Sequence, residues 1–96
     1  MKILLDIDDT LIDHKENLHP RYREVLDNHD VTLFSQSRDI KKWAKKLNLD
    51  YIEKDSNETP EADVLIDDDY RYKRICKVRH HFPSIDSFLN SNTNLQ

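Results

Sequence analysis

The sequence contains no glycine, and this absence constrains how its backbone can turn. Glycine is the usual residue where a positive φ angle is needed, so we expect asparagine and aspartate to take those positions. The same absence excludes an EF-hand calcium loop that starts at Asp6. Such a loop needs glycine at its sixth position and glutamate at its twelfth, where this chain has Leu11 and Asn17.

Cysteine and long apolar runs are scarce as well. Cys76 is the one cysteine, so an intrachain disulfide is impossible and we expect a reducing compartment. No apolar run reaches the roughly 18 residues that a transmembrane helix requires. The first apolar run is too short and too acidic for a secretory signal. These features together predict a cytoplasmic protein with no membrane partner.

Composition predicts one small domain with a thin core. The chain has 96 residues, of which 36% are apolar and 35% are charged. This length suits a single core, so we expect one domain over residues 1–90 and a frayed tail over residues 91–96. The net charge of −4 argues against a protein that coats nucleic acid.

Apolar runs and helical spacing alternate along the chain. The runs at residues 3–5, 31–34 and 64–66 predict strands that are covered on both faces, and residues 51–52 and 75–78 are weaker candidates. Helical spacing follows the first two runs, and Ser37 and Ser84 are the expected N-caps of the second and third helices. Residues between 52 and 64 contain Pro60 and predict a loop. This order predicts an α/β fold, a three-layer Rossmann-like parallel sheet with helices on both faces.

Acidic residues stand where two of the predicted strands end. Asp6 and Asp67 each follow an apolar run directly, and each opens an acidic cluster. Because ligands bind beyond the carboxyl ends of parallel strands, both clusters are expected at one edge of the sheet. Two carboxylates held about 4 Å apart repel by roughly 4 kcal/mol at an effective dielectric constant near 20. A counter-charge is therefore needed, and hard oxygen ligands predict Mg²⁺.

The same edge collects groups that suit phosphate chemistry. Ser35 ends the second apolar run, Thr10 offers another hydroxyl, and Lys54 follows the run at residues 51–52. Phosphoryl transfer depends mainly on positioning and charge neutralisation, so a metal, a lysine, hydroxyl donors and a carboxylate nucleophile form a sufficient set. Four lysines in the second predicted helix compete with Lys54 for this role, although they lie in a less suitable place: Lys41, Lys42, Lys45 and Lys46.

Three segments resemble motifs of the haloacid dehalogenase-like (HAD) superfamily. "ILLDIDDTL" resembles the first motif, "VTLFS" the second and "ADVLIDD" the fourth. The resemblance implies a phosphatase in which Asp6 is the nucleophile that forms an aspartyl-phosphate, and Asp8 moves the proton. It also implies that Ser35 and Lys54 contact the phosphoryl group, and we add Thr10 and Gln36 as substrate-binding candidates. The implied Mg²⁺ ligands are the carboxylates of Asp6 and Asp67, the backbone carbonyl of Asp8, and Asp68, which ligates the metal or holds its waters.

The resemblance also bears on size and on partners. Members of this superfamily usually carry a cap domain, and the short connections here leave no room for one. Capless members act on large substrates at an open site or take a lid from a neighbouring subunit, so a homo-oligomer is one expectation. The substrate is expected to be a nucleotide, a phosphorylated nucleic-acid end or a sugar phosphate.

Other readings of the sequence remain open or are excluded. A catalytically weak or inactive protein that binds a nucleotide or another phosphorylated ligand is the alternative function. Residues 70–82 hold five Lys or Arg, two His and no acid, and they form either a solvated face or a surface that steers a polyanion toward the metal. A phosphate-accepting receiver domain is excluded because its acceptor aspartate would follow a strand in the middle of the chain order. In this chain the Asp-x-Asp pair follows the first strand.

Overall fold

The computed structural model describes residues 1–91, except for the side chains of residues 72–74. The described residues form a small α/β domain around a five-stranded, fully parallel sheet. Its elements along the chain are β1 (Lys2–Leu5), α1 (Tyr22–Leu26), β2 (Asp30–Ser35), α2 (Ile40–Leu47), β3 (Asp50–Glu53), β4 (Glu61–Ile66), a 3₁₀ helix (Tyr70–Ile75), β5 (Lys77–Phe82) and α3 (Ile85–Ser91). The predicted C-terminal tail lies outside the described residues, apart from Ser91 at the end of α3.

The sheet has the strand order β3-β2-β1-β4-β5, with β1 at its centre. Ile3 pairs with Val31 on one side and with Val64 on the other, and all three side chains are buried. Burial on both faces explains why β1 reads as a continuous apolar run instead of an alternating one. The three strands that were predicted from apolar runs are therefore confirmed as the middle of the sheet.

One face of the sheet carries all three α-helices of the described chain. Alternate strand residues such as Leu5, Leu33 and Ile66 point to this face and join one apolar cluster. Each helix adds its own buried residues to the same cluster: Val25 from α1, Ile40, Trp43 and Ala44 from α2, and Ile85 and Phe88 from α3. The main core thus lies between the sheet and a single helical layer.

The opposite face is covered much more lightly. Leu4, Phe34 and Leu65 form a second cluster with Cys76, and Ile75 of the 3₁₀ helix packs against it. The right-handed rule for parallel crossovers places the β3–β4 and β4–β5 connections on this face. Residues 54–60 must cross three strand spacings and also return from the carboxyl to the amino ends of the strands. Seven residues reach about 25 Å when extended, which leaves little slack for a helix. The predicted three-layer arrangement with helices on both faces is therefore not confirmed.

Two local predictions differ from the structure. The fifth strand covers Lys77–Phe82 and not residues 75–78, because residues 70–75 form the 3₁₀ helix. Ser37 is not the N-cap of α2: that position belongs to Asp39, whose backbone N–H donates to Ser37 Oγ at 3.2 Å. Ser84 does act as predicted, since its Oγ accepts the backbone N–H of Ser87 at 3.0 Å at the start of α3.

The loop predicted between residues 52 and 64 is confirmed over residues 54–60, and β4 begins before the predicted end of that loop, at Glu61. No helix among residues 1–91 is long and apolar enough to span a membrane.

Candidate active site

The candidate residues come together at one edge of the sheet, where the strands β1, β2 and β4 have their carboxyl ends. β1 and β4 are neighbours although two strands separate them in sequence, so the chain reverses its direction of travel across the sheet at this point. Asp6 N–H donates to Ile66 O at 2.9 Å, which fixes Asp6 beside the end of β4. Lys54 N–H donates to Ser35 O at 3.1 Å, which fixes Lys54 beside the end of β2. Such a switch point is where open parallel sheets bind ligands.

Lys54 occupies the middle of this edge. Its Nζ lies 3.1 Å from Asp6 Oδ1 and 2.5 Å from Asp67 Oδ2. All three residues are buried, so the ammonium group neutralises two carboxylates in a region from which water is largely excluded. The Phe34 ring lies beneath it, with Nζ 5.7 Å from the ring centroid. Of the competing lysines, all of those in α2 are exposed, and Lys54 is the one placed against the two carboxylates.

Negative charge is nevertheless in excess at the site. Burial and the charge of Asp67 raise the pKa of Asp6 to about 7, against the opposing effect of Lys54. Burial also raises the pKa of Asp8, and the nearby carboxylates of Asp9 and Asp39 act in the same direction. A raised carboxyl pKa means that the ionised form is poorly compensated. One lysine is therefore insufficient for this group of acids.

The remaining oxygens of the central pair have neutral donors. Thr10 Oγ1 donates to Asp6 Oδ2 at 3.3 Å, and the backbone N–H of Asp69 donates to Asp67 Oδ1 at 2.9 Å. Thr10 reaches Asp6 because the chain folds back tightly after β1. In that turn the backbone N–H groups of Thr10, Leu11 and Ile12 all point to Ile7 O, at 2.9 to 3.2 Å.

A polar cavity of about 270 Å³ opens over these groups. It is lined by Asp6, Asp8, Asp9, Ser35, Gln36, Ser37, Lys54, Asp67, Asp68 and Asp69. The sequence-predicted residues therefore share this cavity, with the exception of Thr10. Thr10 contacts Asp6 from the side and lines an adjacent cavity of about 250 Å³. Its position suits orientation of the Asp6 carboxylate better than direct contact with a substrate.

The carboxylates include a set that fits a divalent cation. One oxygen from each of Asp6, Asp67 and Asp68 lies within 4.8 Å of the others. Oxygen donors at such separations suit a hard cation, and the excess negative charge favours one. The carboxylate of Asp8 does not belong to this set, although it lines the same cavity. The donor chemistry therefore fits Mg²⁺ with Asp6, Asp67 and Asp68 as side-chain ligands.

Three cavity residues were not assigned to the site from the sequence. They are Asp9, Ser37 and Asp69. Asp9 has a φ of 60°, and Asp69 accepts Arg71 N–H, so both do shape turns while also lining the cavity. Ser37 donates its backbone N–H to Ser35 Oγ at 3.0 Å. Their closeness in sequence to Asp8, Asp68 and Ser35 is the signal that marks them.

The basic stretch at residues 70–82 does not form one surface at the site. Arg71 lies beside the cavity, where its guanidinium binds Asp69 at 2.6 Å and holds the pKa of that carboxyl at about 2. Lys77 and Arg79 instead line a shallow hollow near the amino ends of β1 and β4. Lys77 also pairs there with Glu61 at 3.7 Å. Among the described Lys and Arg side chains of this stretch, Arg71 is thus the one placed beside the cavity.

No protein-family model, curated protein or solved structure matches this chain.

The arrangement of residues in the cavity suits one kind of chemistry. A buried carboxylate of Asp6 faces a polar cavity, with the hydroxyl of Ser35 and the ammonium of Lys54 beside it. A second carboxylate, that of Asp8, shares the cavity and is only partly shielded from water. A nucleophile, a proton carrier and cationic support are the parts that phosphoryl transfer requires.

Proposed function

We propose that this protein is a Mg²⁺-dependent phosphomonoester hydrolase that works through an aspartyl-phosphate on Asp6. The observation that carries the proposal is the buried group of Asp6, Lys54 and Asp67 at the switch point of the sheet, which keeps an excess of negative charge beside a polar cavity. The resemblance of the sequence motifs to the HAD superfamily supports the same conclusion. In this proposal the chain is a minimal, capless HAD-like core located in the cytoplasm.

The first step transfers the phosphoryl group to the protein. A carboxylate oxygen of Asp6 attacks the phosphorus, a new P–O bond forms, and the ester P–O bond breaks. The leaving alcohol oxygen takes a proton from the Asp8 carboxyl, so a neutral alcohol departs. A raised pKa at Asp8 suits this role, because it keeps more of the protonated acid available.

The second step releases phosphate. Asp8, now a carboxylate, removes a proton from a water molecule as its oxygen attacks the phosphorus of the acyl phosphate. The bond between phosphorus and the Asp6 oxygen breaks, which restores the carboxylate and frees inorganic phosphate. Ser35, Gln36 and Lys54 donate hydrogen bonds to the phosphoryl oxygens throughout. When bound by Asp6, Asp67 and Asp68, Mg²⁺ supplies positive charge against the phosphoryl group.

Phosphate release with and without metal tests the proposal. The wild type should release phosphate from an aryl phosphate in Mg²⁺ and should stop in chelator. Asp6→Asn should lower the rate by roughly 10³-fold or more, since the nucleophile is lost. Asp50→Asn is the matched control, because this exposed aspartate opens β3 at the amino-end edge of the sheet. Release that survives chelator or Asp6→Asn would contradict the mechanism.

A binding protein without turnover is the second candidate. The observation that favours it is that both oxygens of Asp6 already have donors, Lys54 and Thr10, which reduces the nucleophilicity of the carboxylate. This candidate predicts that phosphate or a nucleotide binds in the presence of Mg²⁺ while no phosphomonoester is hydrolysed. Calorimetry alongside the release assay separates the two functions.

A further inference from the structure

The proposed function leaves open what the phosphate is attached to. Every residue that lines the cavity of about 270 Å³ is polar or charged, and most are acidic. Such a cavity suits the phosphoryl group and the metal, but it offers little apolar surface to the rest of a substrate. The alcohol half of the substrate must therefore lie against the rim, and the rim residues decide which substrates bind well.

Tyr70 is the aromatic residue next to the acidic segment that lines the cavity, and we call Tyr70 and Arg71 the rim. It follows the cavity residues Asp67, Asp68 and Asp69 directly and is 63% exposed. Among the large hydrophobic residues that the structure describes as exposed, Tyr70 is the most exposed, ahead of Tyr51 and Met1. Exposure of a large aromatic side chain next to a polar cavity is unusual in a chain that buries so much of its apolar surface. A ring in this place is available to a bound molecule.

The Tyr70 ring is held in place by a contact with the His81 ring. Its centroid lies 4.5 Å from that of the His81 ring, at an interplanar angle of 58°. His81 Nε2 lies 2.8 Å from Asp67 O, to which it donates a hydrogen bond. The ring pair is thus bonded to the backbone of Asp67, and the carboxylate of Asp67 binds Lys54. These contacts fix the position of the Tyr70 ring relative to Asp67.

Arg71 completes this rim. Its guanidinium is bonded to the Asp69 carboxylate at 2.6 Å, and its side chain is 82% exposed. The pair fixes the first turn of the 3₁₀ helix, since Asp69 also accepts the backbone N–H of Arg71 at 3.0 Å. A substrate that reaches over Tyr70 meets a planar cation at the same edge. Aromatic and guanidinium faces together are the surfaces on which nucleobases stack.

We propose that Tyr70, supported by His81, is a stacking platform for a planar aromatic ring in the alcohol half of the substrate, with a nucleobase as the ring. This inference rests on the proposed function, because it specifies the substrate of the same site. It makes a nucleoside monophosphate or a phosphorylated nucleic-acid end the preferred substrate class. A sugar phosphate without a base would lack the contact.

A matched pair of substrates tests the platform. A nucleoside 5′-monophosphate and ribose 5-phosphate carry the same kind of ester bond and differ in the base. Tyr70→Ala should lower kcat/KM for the nucleotide by about tenfold, in the range measured for one base on an aromatic side chain. The same variant should change kcat/KM for ribose 5-phosphate by less than about twofold, and Tyr70→Phe should retain the wild-type preference.

Tyr51→Ala is the control, because Tyr51 is the other exposed tyrosine among the described side chains and lies on the far edge strand β3. It should leave both substrates unchanged. Phenyl phosphate separates the two sources of a ring: a loss with the nucleotide alone identifies base recognition, and a loss with both identifies general ring recognition by the same platform. Equal losses for nucleotide and ribose 5-phosphate in Tyr70→Ala, or no loss for either, would overturn the inference.

The platform can be tested even if the hydrolase proposal fails. If the wild type hydrolyses none of these esters in Mg²⁺, the proposed function is wrong. Calorimetry of the wild type and Tyr70→Ala with the same two ligands then decides the platform separately. Tighter binding of the nucleotide than of ribose 5-phosphate, lost in Tyr70→Ala, supports it. Equal affinities for the two ligands in the wild type overturn it.

Discussion

Lys54 has a structural role that is separate from any catalytic one. Its ammonium group lies between the carboxylates of Asp6 and Asp67, and all three side chains are buried. Removing one partner of a buried ion pair costs more than the pair itself contributes, because the other charge stays buried without compensation. Here two carboxylates would lose their shared cation at once.

Lys54→Met should therefore lower the free energy of unfolding by about 3–5 kcal/mol at pH 8 in chelator. Urea denaturation followed by circular dichroism measures this value. Lys45→Met removes an exposed lysine from α2 and should change the free energy by less than about 0.5 kcal/mol. A loss below about 1 kcal/mol for Lys54→Met would show that the ammonium group does not hold the two carboxylates.

The sequence identifies those site residues that directly follow a buried strand. Asp6, Ser35 and Asp67 could be predicted because each follows a buried apolar run, and parallel strands end at the same edge. The contact of Thr10 with Asp6 could not be predicted, because it depends on the turn in which three N–H groups share Ile7 O. That turn has no distinctive sequence pattern in a chain without glycine.

The end of α2 shows how an element is stopped without glycine. Asn48 follows Leu47 with φ 57° and ψ 52°, and its backbone N–H reaches back to the last helical carbonyls. The other described non-glycine residues with positive φ are Asp9 and Glu16. Asp9 and Asn48 agree with the expectation that Asp and Asn replace glycine, and Glu16 does not.

Asn48→Ala should destabilise the protein by about 1 kcal/mol, because an alanine Cβ is unfavourable in the left-handed conformation. Asn48→Gly should leave the stability within about 0.5 kcal/mol of the wild type, since glycine adopts this conformation readily. Parallel urea titrations of the three proteins provide the comparison. Equal stability of Asn48→Ala and the wild type would show that the helix end relaxes without cost.

The edge strand β5 and the elements on the lightly covered face of the sheet were the hardest to predict. β5 reads "KVRHHF", which carries too much charge to resemble the buried strands, because it lies at the edge of the sheet. The preceding 3₁₀ helix also lacks a 3.6-residue period. The predicted helical layer on this face is not confirmed for a related reason: the connections that the right-handed crossover places there are short.

For the molecule as a whole, the buried acids link stability to pH and metal. The pKa of Asp6 is raised from 3.8 to about 7, so the folded state binds this proton more tightly than the unfolded state does. Stability must then fall as the pH rises from about 4 to 7, because the unfolded chain releases the proton first. A cation bound at the carboxylates would offset that loss.

In chelator, Asp6→Asn should therefore have a higher melting temperature than the wild type at pH 8. The difference in melting temperature should be smaller at pH 5. Millimolar Mg²⁺ should raise the melting temperature of the wild type more at pH 8 than at pH 5. Comparison with the variant removes the contribution of other titrating groups. An unchanged wild-type melting temperature in Mg²⁺ at pH 8 would argue against a metal site at these acids.

The covalent intermediate is the central claim, and chemical trapping tests it most directly. Borohydride reduces an acyl phosphate to an alcohol, so a trapped aspartyl-phosphate becomes homoserine. Protein quenched during turnover with Mg²⁺ should yield homoserine at position 6 in the tryptic peptide map, and protein quenched in chelator should not. Turnover that leaves Asp6 unreduced, or places the homoserine at another aspartate, would contradict the account.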